Sequence, residues 1–137
     1  MTDPVLVFPR LTAIAAALLA LWLVALSGAV MARRMGRDIL HGDDGDPVLR
    51  HRIRAQGNFV EYVPLALLMV GLLGWSGGDR TLVAVLLVML VAGRVLHPFG
   101  MGAAKNSPRQ FACRGLGILL TLLSLVVAAV ALLVRVS

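Results

Sequence analysis

From Arg54 to Pro64 the sequence reads Arg-Ala-Gln-Gly-Asn-Phe-Val-Glu-Tyr-Val-Pro, placing a guanidinium, carboxamides, a carboxylate and a phenol at the mouth of an apolar stretch. Wound at about 100° per residue, Arg54, Asn58, Glu61 and Tyr62 share one helical face, while Phe59, Val60 and Val63 point elsewhere. That set suits a zwitterionic ligand: Glu61 can receive an ammonium, and guanidinium groups grip carboxylates in a two-pronged geometry. Ionisable groups at membrane depth face a bundle interior or an aqueous cavity, so the stripe is expected to line a pocket. The plainer alternative is a Glu61–Arg54 pair that only locks helices together.

Other residues gather around this stripe. Arg33 and Arg34 follow the first apolar run directly and double as topology determinants, whereas Arg37 fits only that second role. Arg94 and His97, three apart, share a face near the end of the third run, where His97 can donate to a ligand or satisfy a carbonyl. Cys113, the sole cysteine, excludes an internal disulfide; flanked by Arg109 and Arg114, it reads as a reactive thiol or, more plainly, as a small residue at a helix entrance. The cluster His41, Asp43, Asp44 and Asp46 supplies neither the ordered oxygens of a calcium loop nor the paired His or Cys of a zinc site, so no metal is expected. Phosphate loops, nucleophile elbows and metalloprotease patterns do not occur.

The elements that must position these groups are membrane helices. With 59% hydrophobic residues and a mean hydropathy of +0.89, the 137-residue chain is far more apolar than a soluble domain. Windows near 11–32, 57–75, 81–97 and 115–134 each approach the length of apolar chain needed to span a bilayer. The pattern predicts a single all-α domain over 1–137, an integral membrane four-helix bundle with helices at about 5–33, 47–75, 80–98 and 113–135. Pro47 opens the second helix, Pro64 deprives the Val60 carbonyl of its donor within it, and Gly115 and Gly117 suggest close packing of the fourth. Pro98, Gly100, Gly102 and Pro108 read as a flexible connection.

Charge fixes the expected orientation. Of thirteen Lys and Arg, six (Arg33, Arg34, Arg37, Arg50, Arg52, Arg54) lie between the first two windows and four (Arg94, Lys105, Arg109, Arg114) from the end of the third window to the start of the fourth, against Arg10, Arg80 and Arg135 on the other side. The positive-inside rule therefore puts segments 33–54 and 94–114 in the cytoplasm and both termini outside. The net charge of +6 serves topology; without aromatic-spaced basic runs, nucleic acid is not an expected partner.

The chain resembles the MAPEG family, membrane-associated proteins in eicosanoid and glutathione metabolism, and is most similar to its small bacterial members. The resemblance rests on Ala32-Arg33-Arg34 ending the first helix, the Arg54-to-Pro64 string, Gly93-Arg94 near the end of the third, and the four-helix layout. It implies a homotrimer in a bacterial inner membrane, with glutathione as co-substrate in pockets between subunits and a hydrophobic electrophile drawn from the bilayer. Arg54, Asn58, Glu61 and Tyr62 would hold the tripeptide, joined by Arg94 and His97, with Gln56 and Arg33 reaching in from the adjacent subunit. Arg34 would assist the second substrate, and Arg109, in competition with Arg114, would stabilise the thiolate. The chain departs from eicosanoid-type members in carrying His97 and Met101 where they carry tyrosines. The implied activity is transferase or peroxidase; a glutathione-binding trimer without efficient catalysis, or a small proton-coupled exporter using Glu61, are the alternatives.

Overall fold

The computed structural model describes residues 9–137, in which the chain forms four long helices and, among the described residues, no strand. α1 covers Arg10–Met35, α2 Pro47–Trp75, α3 Arg80–Met101 and α4 Leu116–Val136, the last entered through a π-helical turn over Gln110–Gly115. Each is long and apolar enough to cross a membrane, α4 being taken with its π turn.

The boundaries follow local chemistry. The first residues expected in helix one lie outside the described part, and α1 continues past residue 33 to Met35, because Arg33 and Arg34 are favourable beside the carbonyl end of a helix. Asp46 caps α2, its Oδ1 accepting from the amides of Val48 at 2.9 Å and Leu49 at 3.2 Å, with Pro47 in the first turn where no donor is needed. Asp79 caps α3 by accepting from the Leu82 amide at 2.7 Å. Pro64 lies inside α2 without interrupting it.

Two expectations are corrected at the other ends. α3 was expected to stop near 98, but it runs through Pro98 to Met101, so Pro98 and Gly100 are helical and not part of a flexible connection. Proline removes the N–H that would bond the carbonyl four residues back, which is that of Arg94. The indole Nε1 of Trp22, from α1, donates to that same carbonyl at 3.1 Å, and the helix continues. Helical structure before α4 likewise begins at Gln110, ahead of the expected 113, as the π turn. A Cβ on Gly100 would lie 2.3 Å from the Arg114 amide nitrogen, so the bare glycine is what lets the end of α3 lie against this turn.

Small residues also draw α3 and α4 together. A Cβ on Gly93 would stand 2.7 Å from the Gly117 carbonyl oxygen, and one on Gly117 would stand 2.7 Å from that of Gly93. Gly115, expected to share this role, has open space around it. Ser124 Oγ adds a hydrogen bond to the Leu86 carbonyl at 2.9 Å, an interhelical polar link of the kind used where lipid removes any hydrophobic drive between helices.

α2 supplies the core. Ala55, Phe59, Val63, Ala66, Val70 and Leu73 form its buried row. Phe59, Val63 and Ala66 pack with Leu19 and Leu90, and Val70 and Leu73 with Ala15, Leu86, Leu87 and Ala128.

Candidate functional site

Because one row of α2 is consumed by the core, the opposite row faces outward. Arg54 and Glu61 are exposed on it, followed by exposed Leu65, Leu68 and Leu72. Among the described residues neither Arg54 nor Glu61 forms an ion pair; all three ion pairs lie in the α1–α2 connection and its flanks. Arg54 and Glu61 are seven residues apart, about 10 Å along the axis at the helical rise. They form two opposite charges, separated along a helix long and apolar enough to cross a membrane, with no group among the described residues answering either.

Asn58 and Tyr62 stand on the flank of this row, half-buried. Asn58 Oδ1 accepts from Arg94 Nη1 at 2.7 Å, and Arg94 Nη2 donates to the Gly117 carbonyl at 3.1 Å. Arg94 thus joins α2, α3 and α4 while only 2% exposed, and its Nε has no partner among the described residues. No carboxylate neutralises it at ion-pair distance there. His97, one turn on, is also buried, its Cβ beside the glycine contact of α3 and α4.

The remaining predicted residues are spread around the same end of the bundle. Gln56 Nε2 donates to Ser27 Oγ at 2.8 Å, tying α2 to α1. Arg33 Nε donates to Asp46 Oδ2 at 2.9 Å, with Arg37 Nε 3.9 Å from the same oxygen. Arg34 Nη1 donates to the Leu40 carbonyl at 3.4 Å. Arg109 and Arg114 are exposed before and within the π turn.

The structure therefore brings Asn58 and Arg94 into contact and sets Arg54 and Glu61 on one open face. Within a single chain, Arg33 and Gln56 are engaged with α1 and the α1–α2 connection rather than with that face. Two residues that the sequence places only in an acidic cluster have supporting roles. Asp46 both caps α2 and holds Arg33, and the Arg33 hydrogen bond keeps its carboxyl below the usual carboxylate range, aided by the amides of Leu49 and Val48. Asp43 is lowered in the same way, first by its hydrogen bond from Arg50 and then by the Gly45 amide. The signal for Asp46 was present in the Asp-Pro pair at a helix start; nothing in the spacing signalled that Trp22 serves Pro98.

Comparison with known proteins agrees with this layout. A profile described as the MAPEG family matches residues 12–134. The protein named inner membrane protein YecN, from Escherichia coli strain K12, is 35% identical over 89 residues, covering 65% of this chain and 68% of the relative. YecN from E. coli O6:H1 strain CFT073 matches to the same extent. No solved structure matches significantly.

Proposed function

The chain belongs to the MAPEG family, and on that premise we propose that it binds glutathione on the open face of α2 and transfers its thiolate to a hydrophobic electrophile from the bilayer. The observation that carries this reading is the unanswered Arg54–Glu61 pair. An extended tripeptide spans about 10 Å, the same length as the separation of these two charges along the helix. Glutathione bears an ammonium for Glu61, carboxylates for Arg54, and further acceptors and donors for Tyr62 and the free amide of Asn58. Arg94, by holding Asn58 Oδ1, orients that amide.

Charges of this kind on an outward face are costly in lipid, so a second subunit is expected to cover them. In a homotrimer, Arg33 and Gln56 of the neighbour would complete the pocket. The thiol proton passes to solvent, and Arg109 or Arg114 steadies the thiolate electrostatically. The sulfur then attacks the electrophilic carbon, forming the C–S bond as the leaving group departs with its electron pair, with Arg34 beside the second substrate. The membrane is proposed to be the bacterial inner membrane, with segments 33–54 and 94–114 cytoplasmic.

Calorimetry of glutathione with detergent-purified protein tests the reading. Saturable binding is expected, weakened about tenfold or more in Arg54→Ala and in Glu61→Gln, since each removes a charge-assisted contact. Unchanged affinity in both variants would sink it. One observation favours binding without efficient turnover as a second reading: His97, at a position where related enzymes carry a phenol, is buried and not presented to the open face. Conjugation of chlorodinitrobenzene by the wild type decides between the two.

A further inference from the structure

Asp46 joins the end of α1 to the start of α2. Its Oδ1 accepts from the Val48 and Leu49 amides, which fixes it to the first turn of α2. Its Oδ2 accepts from Arg33 Nε at 2.9 Å, and Arg33 lies in the last turn of α1. The side chain is only 11% exposed and both of its oxygens are committed, so it cannot turn from either helix without breaking a cap or a charge-assisted hydrogen bond.

The contact uses only part of the guanidinium. Arg33 Nε is taken, while Nη1 and Nη2 have no hydrogen-bond partner among the described residues. Those two nitrogens form one of the guanidinium edges that grip a carboxylate in a two-pronged fashion. Nor is the charge of Arg33 cancelled: Arg37 Nε stands 3.9 Å from the same Asp46 oxygen, so one carboxylate serves two guanidiniums. A free arginine loses conformational entropy when a ligand orders it, and the clasp has ordered Arg33 beforehand. Gln56 follows the same plan. Its Nε2 donates to Ser27 Oγ at 2.8 Å, and its Oε1 has no partner among the described residues. The two residues proposed for the neighbour's pocket are each pinned at one atom within their own chain and free at the other end.

From a clasp that fixes Arg33 at one nitrogen and leaves its far edge open, we infer that Asp46 is a positioning residue for glutathione binding, aiming Arg33 at a carboxylate of the tripeptide held by the next subunit. The inference rests on the reading that Arg33 enters the neighbour's pocket. Asp46 touches no ligand itself and acts through Arg33. Because it also caps the helix that carries its own chain's Arg54 and Glu61, the start of one α2 is tied to the ligand bound on the next.

The test is a double-mutant cycle in glutathione affinity, measured by calorimetry on the full chain in detergent. Asp46→Asn keeps an oxygen for the Val48 and Leu49 amides but turns an amide NH₂ toward Arg33, and Asp46→Ser is a second cap without a carboxylate. Each is expected to weaken binding about fivefold, and Arg33→Ala at least about tenfold. In the Arg33→Ala background Asp46→Asn should change the affinity no further, whereas a loss caused by a damaged start of α2 would persist there. Tighter binding in Asp46→Asn would make Asp46 a competitor of the ligand and overturns the inference. Unchanged affinity in both Asp46 variants, or an equal loss with and without Arg33, overturns it as well while leaving the pocket in place. If the wild type shows no saturable binding, or Arg33→Ala binds as the wild type does, the divided pocket falls and the inference falls with it.

Discussion

Arg94 is where the single side chain matters most. A buried guanidinium without a carboxylate depends on neutral acceptors, and among the described residues Arg94 has Asn58 Oδ1, the Gly117 carbonyl and, at 3.5 Å, the Asn58 carbonyl. Removing one acceptor leaves a charged donor without compensation, so Asn58→Ala is expected to cost about 1–3 kcal/mol of folding stability in detergent, measured by chemical denaturation. Arg54→Ala, on the open face, should leave the folding stability within about 0.5 kcal/mol of wild type. The contrast separates a residue that builds the fold from one that serves only the ligand. Trp22→Phe keeps the ring but strands the Arg94 carbonyl that Pro98 has already deprived of its helical donor, for an expected loss of about 1–2 kcal/mol by the same measurement. The sequence carried the polar stripe plainly, because the spacing of Arg54, Asn58, Glu61 and Tyr62 is a local property. It could not say that Asn58 faces inward to Arg94 while Glu61 faces outward, since that division depends on which side of α2 the core claims.

At the scale of the helices, length and hydropathy made four spans legible, and the Asp46-Pro47 cap located the start of α2. The ends of α3 and α4 were not legible, because Pro and Gly near a helix end ordinarily signal a stop. Here Pro98 is tolerated through a contact from another helix and Gly100 is required for approach to the π turn. The glycine contact between α3 and α4 yields a sharp prediction. In Gly117→Ala the new methyl would need to clear the Gly93 carbonyl oxygen, 2.7 Å from the ideal Cβ position, so the helices must part and thermal stability in detergent should fall clearly. Gly115→Ala, in open space two residues earlier, should leave the melting temperature unchanged or slightly raised. The α1–α2 connection carries its own pH dependence. Asp43 and Asp46 both titrate below the ordinary carboxylate value of 3.8, so their contribution is fully present above that value and is lost as pH falls through their lowered folded values. Hydrogen exchange of residues 38–46 should accelerate, beyond the intrinsic pH effect, only below about pH 4, and Asp46→Asn, which keeps the cap but not the Arg33 pair, should flatten that rise.

The whole molecule raises the question of what covers α2. A single chain leaves Arg54 and Glu61 outward, on a helix apolar enough to span a bilayer, and it engages Arg33 and Gln56 away from that face. An unpaired carboxylate and guanidinium facing lipid would be a standing cost. A head-to-tail ring removes that cost by laying one subunit's surface against a different surface of the next. If the proposed pocket is divided in this way, with Arg54 from one chain and Arg33 from its neighbour, two defective chains can repair one another. Subunits carrying Arg54→Ala and subunits carrying Arg33→Ala, each expected to bind glutathione poorly alone, would be co-expressed in equal amounts and purified through two different tags. A site is intact when the chain supplying Arg54 is the Arg33 variant and the chain supplying Arg33 is the Arg54 variant; the two tags keep only mixed oligomers, and a mixed ring of three has one such junction, so about one site in three is restored. Calorimetry should then find roughly that fraction of wild-type binding capacity at wild-type affinity. Capacity that stays near zero in mixed oligomers of confirmed composition would mean that both arginines serve one chain's own pocket, or that Arg33 belongs to the Asp46 clasp alone.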